Sequence, residues 1–284
     1  MTRKITMLGT GHAMVTKCYN TCFTISEHFA HKEHKSENSN SAGEQHFLVD
    51  AGGGNGILTQ MERANISFAN IHEMFLTHAH TDHLLGAVWV VRKIATMMQN
   101  QKYDGEFYLY CHDEAAHILR AFCEMTLIQK HKCFIDDRIH IRVVEDGEKV
   151  MLGNKEITFF NIGSNKTKQF GFQLLWEDGM RLVCLGDEPY RETSERYAKD
   201  ADWLMSEAYC LYEEREIFQP YEKHHSTALD AGKLAAGLNV KNLLLYHTED
   251  KNLEKRKVSY VKEAKEHYKG NVIVPDDLEV ICLK

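Results

Sequence analysis

The chain has 284 residues, a formal net charge of -7 and eight scattered cysteines without a CxxC pair. That length is within reach of one domain, the cysteines read as reduced thiols, and the charge argues against a sequence-blind nucleic-acid binder, whose affinity comes mainly from Lys and Arg neutralising phosphates. The longest apolar runs, such as 87–91 and 243–246, fall far short of the roughly 18 residues of a membrane span, and residues 1–8 lack a signal-peptide pattern, so a cytoplasmic protein is expected.

In chain order, a short strand is predicted at 4–8, then the turn Gly9-Thr10-Gly11, a second strand at 20–26 and its partner at 47–50. The stretch between them, 28–45, is dense in Ser, Asn, Glu, Lys and His. It has the composition of a mobile hairpin insertion, since it can bury too little apolar surface to offset its ordering. His28, His31, His34 and His46 are read there as solvated loop side chains. Gly52-Gly53-Gly54-Asn55-Gly56 lacks the spacings of nucleotide-binding loops, so these glycines read as a tight backbone turn beside a site.

A helix is expected at 56–64, a strand at 74–77, a helix at 84–99, a strand at 107–111 and a helix at 113–129. The second half should carry strands at 138–144, 156–162, 170–176, 181–185, 203–206, 243–246 and 272–274, with helices at 192–199, 227–238 and 253–268. The Lys- and Arg-rich stretch 251–265 reads as a solvated helix face. Strand-rich halves with helices between and after them fit two packed sheets covered by helices.

The segment Thr77-His78-Ala79-His80-Thr81-Asp82-His83 places three imidazoles and a carboxylate within six residues, where an apolar strand stops and before an apolar helix begins. Zinc and related borderline metals favour such a nitrogen and oxygen ligand set, and a loop between rigid elements can wrap several side chains around one centre. Asp187, after the strand at 181–185, and His247, after the strand at 243–246, are weak signals singly. Together they put ligand types on the ends of several strands, along one edge of a sandwich.

In their order, the HxHxDH segment, Gly186-Asp187 and His247 resemble the metallo-β-lactamase superfamily, with Asp50 matching its early structural aspartate. A finer resemblance, to the ribonuclease Z-like branch, rests on Gly9-Thr10-Gly11, on Asn20, on Glu207 after Leu204-Met205-Ser206, and on His225-Ser226-Thr227 leading into a helix. The resemblance spans nearly the whole chain. It implies an α/β fold, a four-layer αββα sandwich forming a single domain over 1–284. It also implies His78 and His80 on a first metal, Asp82, His83 and His247 on a second, and Asp187 bridging. The metal would be divalent, zinc first with manganese or iron as alternatives, and the nucleophile a metal-bound hydroxide. Asp82, His225 and Glu207 would serve catalysis, His225 as proton donor to the leaving oxygen and Glu207 orienting it and favouring its charged form, against the opposing helix N-terminus.

Two departures qualify this. The third histidine of the first metal is expected between the strands at 156–162 and 170–176, where the sequence reads Gly163-Ser164-Asn165. Gly163 offers no ligand atom and Ser164 a poor one, so a weakened first site, holding one or two ions in all, is expected. His12 is weighed as a replacement, with a loop histidine away from the metal favoured. The protruding arm of transfer-RNA-processing members is also missing, because only a short hairpin at 170–185 separates Ser164 from Asp187. With the acidic charge, this ranks hydrolysis of a phosphodiester in a small nucleotide or organic molecule, or of a related ester, first. Ribonuclease Z-like cleavage of RNA follows, then a non-catalytic metal-binding or sensing protein. Lactam hydrolysis is set aside because the resemblance follows the phosphodiesterase branch. The expected partner is a small ester substrate, with no membrane; the oligomeric state is left open, a homodimer included.

Overall fold

In the computed structural model, which describes residues 2–28 and 44–284, two seven-stranded sheets pack against each other. The first half of the chain supplies β1 (Thr2–Gly9), β2 (Cys22–His28), β3 (Gln45–Val49), β4 (Ile71–Phe75), β5 (Phe107–Cys111) and β6 (Ile139–Val143). The second supplies β7 (Lys149–Leu152), β8 (Lys155–Asn161), β9 (Phe170–Trp176), β10 (Arg181–Cys184), β11 (Trp203–Glu207), β12 (Asn242–Tyr246) and β13 (Asn271–Ile273). A last strand, β14 (Val280–Leu283), returns to the first sheet, giving the orders β14-β1-β2-β3-β4-β5-β6 and β13-β12-β11-β10-β9-β8-β7.

The strands from β3 to β6 and from β10 to β13 are parallel neighbours. Parallel strands need both faces covered, and the inner ones β11 and β12 are buried along all or nearly all of their length. In β12, Leu244 and Tyr246 enter the core between the sheets, whereas Leu243 and Leu245 point to the outer helices. The first sheet is covered by α1 (Gly56–Arg63), α2 (Thr81–Gln99), α3 (Asp113–Thr126) and the single turn α4 (Gln129–Lys132). On the second half lie the short α5 (Glu195–Ala198) and α6 (Arg215–Phe218), then α7 (Ala228–Gly237) and α8 (Leu253–Ala264), whose inner faces include Ala228, Ala231, Tyr260 and Ala264. The result is the expected single-domain αββα sandwich. Among the described residues no helix is long and apolar enough to cross a membrane.

Several boundaries differ from the sequence reading, and one matters for the site. Helix α2 starts at Thr81 after an extended His80, so Asp82 and His83 stand on its first turn rather than in a loop. Strand β4 ends at Phe75, short of the 77 expected, because Thr77 is held by the side chain of Asp50. Strands β7 and β14 have no counterpart in the sequence reading. The helix expected at 113–129 breaks at an extended Leu127. His46 is buried in β3 with Nδ1 2.5 Å from Ser26 Oγ, not solvated. Arg256 is likewise buried within the otherwise solvated face of α8. The polar insertion expected at 28–45 lies outside the described residues, apart from its ends in β2 and before β3.

Helix α2 meets the first sheet backbone to backbone. The Gly86 N–H donates to Gly52 O at 2.8 Å, and a Cβ added at Gly86 would sit 1.8 Å from Ala51 O. Only glycine permits that approach, which sets the height of the helix above the turn at 51–52.

Candidate metal centre

The ligand-type side chains sit just past strand ends or on the first turn of α2, and buried partners orient His78, His83, Asp187 and His247. Asp50 follows β3 with φ of 52° and is the hub of the first sheet's edge. Its carboxylate accepts the Thr77 N–H and hydroxyl, each at 2.8 Å, and the His83 Nδ1–H at 2.7 Å. Because the Thr77 hydroxyl is spent on Asp50, its oxygen accepts from His78 Nδ1–H at 2.9 Å. Thr21, just before β2, repeats the device toward the end of β12 in the second sheet: its hydroxyl donates to Gly11 O at 3.0 Å and its oxygen faces His247 Nδ1 at 3.0 Å. His78 and His247 are thus held with the proton on Nδ1 and an Nε2 lone pair aimed inward, and His83 with Nδ1 on Asp50 and Nε2 aimed inward.

Asp187, two residues past Leu185, is gripped by the buried Gln169. That amide donates from Nε2 to Asp187 Oδ1 and accepts the Asp187 N–H at 3.1 Å. The other carboxylate oxygen, Oδ2, lies 3.6 Å from His78 Nε2, 3.4 Å from His83 Nε2 and 3.4 Å from His247 Nε2. The His247 end of β12 is itself tied down by Arg256, whose guanidinium donates to Thr248 Oγ1 at 2.9 Å and to Thr10 Oγ1 at 3.1 Å. His247 has φ of 57°, a left-handed conformation that costs energy in a non-glycine residue and marks a constrained site.

These donors fit a divalent cation. They form two groups, His78, His80 and Asp187 in one and Asp82, His83 and His247 in the other, with the donor atoms of each within 4.8 Å of one another. Four ligands at bonds of about 2.1 Å stand roughly 3.4 Å apart in a tetrahedron, and the contacts of Asp187 Oδ2 match that spacing. His78 Nε2 and His80 Nδ1 converge to 2.9 Å, while the buried Asp82 Oδ2 and His83 Nε2 have no hydrogen-bond partner. The electrostatics agree. Burial pushes the His78 pKa down and that of His247 down to about 3, so both rings are neutral bases, whereas burial of His83 is outweighed by Asp82 and Asp50, which hold its pKa up. Burial opposes ionisation of Asp82 and Asp187, yet the surrounding imidazoles hold both carboxyls well below the usual range. Two buried carboxylates against a single imidazole of raised pKa, His83, leave an excess of negative charge that a cation would neutralise.

The centre opens into a cleft of about 660 Å³. Its far wall carries His12, Tyr209, Lys166, Lys223 and His225. His225 Nδ1 lies 3.7 Å from Glu207 Oε2, an ion-pair distance without a hydrogen bond, and its ring stands 5.4 Å from that of His247. Glu207 is buried at the end of β11 and accepts the Ser226 N–H at 2.5 Å. Burial raises its pKa, against the opposing pull of His225 and Ser226.

A family model for the beta-lactamase superfamily domain matches residues 45–248. The chain belongs to that superfamily. Its members are metal-dependent hydrolases, and the fold implies divalent metal binding. Among curated proteins the chain is similar to the ribonuclease Z of Archaeoglobus fulgidus, 24% identical over 282 aligned positions that take in 82% of this chain and 87% of that one. Among solved structures, the metallo-beta-lactamase fold protein YhfI from Bacillus subtilis shares the fold with a TM-score of 0.77 at 17% identity, covering 99% of this chain and 100% of the other. A diphosphatase of the PhnP family gives a TM-score of 0.70 at 15% identity, covering 99% and 97%.

Within this superfamily frame, the six ligand-type residues of the sequence reading stand together, and His225 and Glu207 face each other beside them. His12 belongs to neither donor group; its ring lies 4.5 Å from that of Tyr209, and its Nδ1 accepts the Met14 N–H at 3.2 Å. Asn20 is a tie, donating from Nδ2 to His12 O at 2.8 Å. At the position of the missing histidine, Gly163 has φ of 74° and faces Arg191 Cδ, 3.1 Å from where a Cβ would stand. A histidine there would be strained. Ser164 donates from Oγ to Glu188 Oε1 at 2.7 Å, and it is Lys166 from this loop that lines the cleft. Sequence reasoning missed Gln169, Thr21, Tyr209, Lys166 and Lys223, none of which carries a local motif.

Proposed function

We propose that this protein hydrolyses a phosphodiester in a small nucleotide or organic substrate, with His78, His80 and Asp187 holding one divalent ion and Asp82, His83 and His247 a second, Asp187 being shared. A divalent ion held there supplies Lewis-acid charge to a phosphoryl oxygen and lowers the pKa of water. The protein's own contribution is geometric. Asp50, Thr77, Thr21 and Gln169 keep the donor atoms aimed inward, and the cleft presents one wall to the leaving group.

The observation that carries the reading is His225, a buried imidazole facing the cleft from the wall opposite the donor cluster, with Glu207 behind its Nδ1. With Glu207 behind Nδ1, Nε2 is directed at the cleft. Protonated on both nitrogens, the ring can pass its Nε2 proton to the departing alkoxide as the ester bond breaks and is left neutral, with the proton on Nδ1. Catalysis by this pair needs no serine or cysteine nucleophile. A second reading, ribonuclease Z-like cleavage of RNA, is supported by the similarity to the archaeal ribonuclease Z. The acidic chain weighs against it.

A turnover assay on zinc- and manganese-loaded protein tests this, using bis(4-nitrophenyl) phosphate, cyclic nucleotides and a precursor transfer RNA, with metal content measured on each sample. Hydrolysis of the small diesters is expected. Faster cleavage of the RNA would favour the second reading, and a fully metallated protein inactive on all three would reject both.

A further inference from the structure

The cleft wall carries two cations that the metal centre does not use. Lys166 extends from the loop at 163–168, with Nζ 3.5 Å from His225 Nε2. Lys223, two residues before His225, donates from Nζ to Tyr209 Oη at 3.3 Å. The two residues they contact, His225 and Tyr209, stack with ring centroids 4.8 Å apart and planes at 7°. Neither ammonium enters an ion pair among the described residues. Their neighbours behave differently: Lys168 pairs with Asp113 at 2.5 Å and Lys155 with Glu27 at 3.1 Å. Among the described residues the only carboxylates lining the cleft are Asp82 and Asp187, both in the donor cluster. In a chain of net charge -7, this wall is a local positive field, and such fields gather anions.

We propose that Lys166 and Lys223 form an anion subsite that takes a second phosphate group, carried on the leaving side of the substrate. The inference rests on the phosphodiesterase reading and names its substrate class: a small diester whose departing alcohol already bears a phosphate. The leaving side follows from position, since Lys166 touches the imidazole that faces the departing oxygen. Phosphate follows from chemistry. Two separate ammonium groups act as point charges and suit a tetrahedral dianion, whereas a planar carboxylate is better matched by an arginine fork. Two lysines are also too short a track for the backbone of a folded RNA, which would need basic groups along an extended path.

The probes are a nucleoside 3′,5′-bisphosphate and the matching 5′-monophosphate, titrated calorimetrically into zinc-loaded protein. The parent should bind the bisphosphate about tenfold more tightly than the monophosphate, the gain of one charge-assisted contact pair. Lys166→Met combined with Lys223→Met should abolish that advantage with unchanged metal content and melting temperature, because both side chains are exposed. Lys166→Arg, which keeps the charge, should retain it. A parent that binds the two probes equally, or a double variant that keeps the advantage, would overturn the subsite. A hairpin RNA bound more tightly than the bisphosphate would also overturn it as a small-substrate site. Bis(4-nitrophenyl) phosphate hydrolysis on the same samples is a separate readout: a selective bisphosphate binder that cleaves no diester would keep the subsite and remove the phosphodiesterase reading.

Discussion

Asp187 and His225 stand on opposite sides of one cleft and differ in what each can lose. Asp187 Oδ2 is within 3.6 Å of three imidazole nitrogens, whereas His225 belongs to neither donor group. Asp187→Ala should therefore release more metal than His225→Ala, as read by elemental analysis after dialysis; equal losses would contradict the division of roles. His225→Ala should instead lower turnover on an alkoxide-leaving diester by about 10²- to 10⁴-fold, the usual effect of losing a general acid. The loss should shrink on a nitrophenyl ester, whose leaving group departs without a proton. A variant as active as the parent on the alkoxide substrate would sink the assignment. The ligand-type residues were legible in the sequence because four of them fall within six positions. Gln169 and Thr21 were not. Each acts only through a residue far along the chain, and glutamine and threonine are not ligand types that draw the eye.

At the scale of elements, α2 both delivers Asp82 and His83 and covers the first sheet. Its placement depends on Gly86, where any side chain would run into the Ala51 carbonyl. Gly86→Ala should destabilise the protein by about 2–4 kcal/mol, although alanine gains roughly 1 kcal/mol in helix propensity. It should also weaken metal retention, because lifting the helix lifts its first turn. Urea unfolding checks the first statement and metal analysis the second; a neutral or stabilised variant would show that the contact is not tight. The parallel strands were readable as apolar runs, and the helices around them by their apolar faces. Strands β7 and β14 were not, being short and half exposed. Nor was the true start of α2, since a helix that begins inside a ligand motif hides behind the motif's polar letters.

For the molecule as a whole, two buried histidines away from the metal centre contribute to the response to acid. Burial lowers the pKa of His46 and of His112 to about 4 each. In the unfolded chain both titrate near 6.5, so between pH 6.5 and 4 the unfolded state binds more protons and stability falls as pH falls. Each contributes on the order of 1–3 kcal/mol across that window, because a tenfold change in proton affinity is worth about 1.4 kcal/mol. His46→Gln should flatten the dependence of the urea midpoint on pH over this range without touching the metal donors. Parallel slopes for parent and variant would remove His46 from the account.

The return of β14 to the first sheet bears on how the chain is made. Ile281 faces Ile5 across that pairing, and both are buried. A ribosome finishing the first half of the molecule therefore releases a sheet whose β1 still has an open edge, with unpaired N–H and C=O groups beside apolar side chains. Such an edge can pair with another nascent chain as readily as with its own partner. The whole second sheet must be synthesised before four residues arrive to close it, so vulnerability to aggregation during synthesis is set by the wait for β14 rather than by the stability of the finished fold.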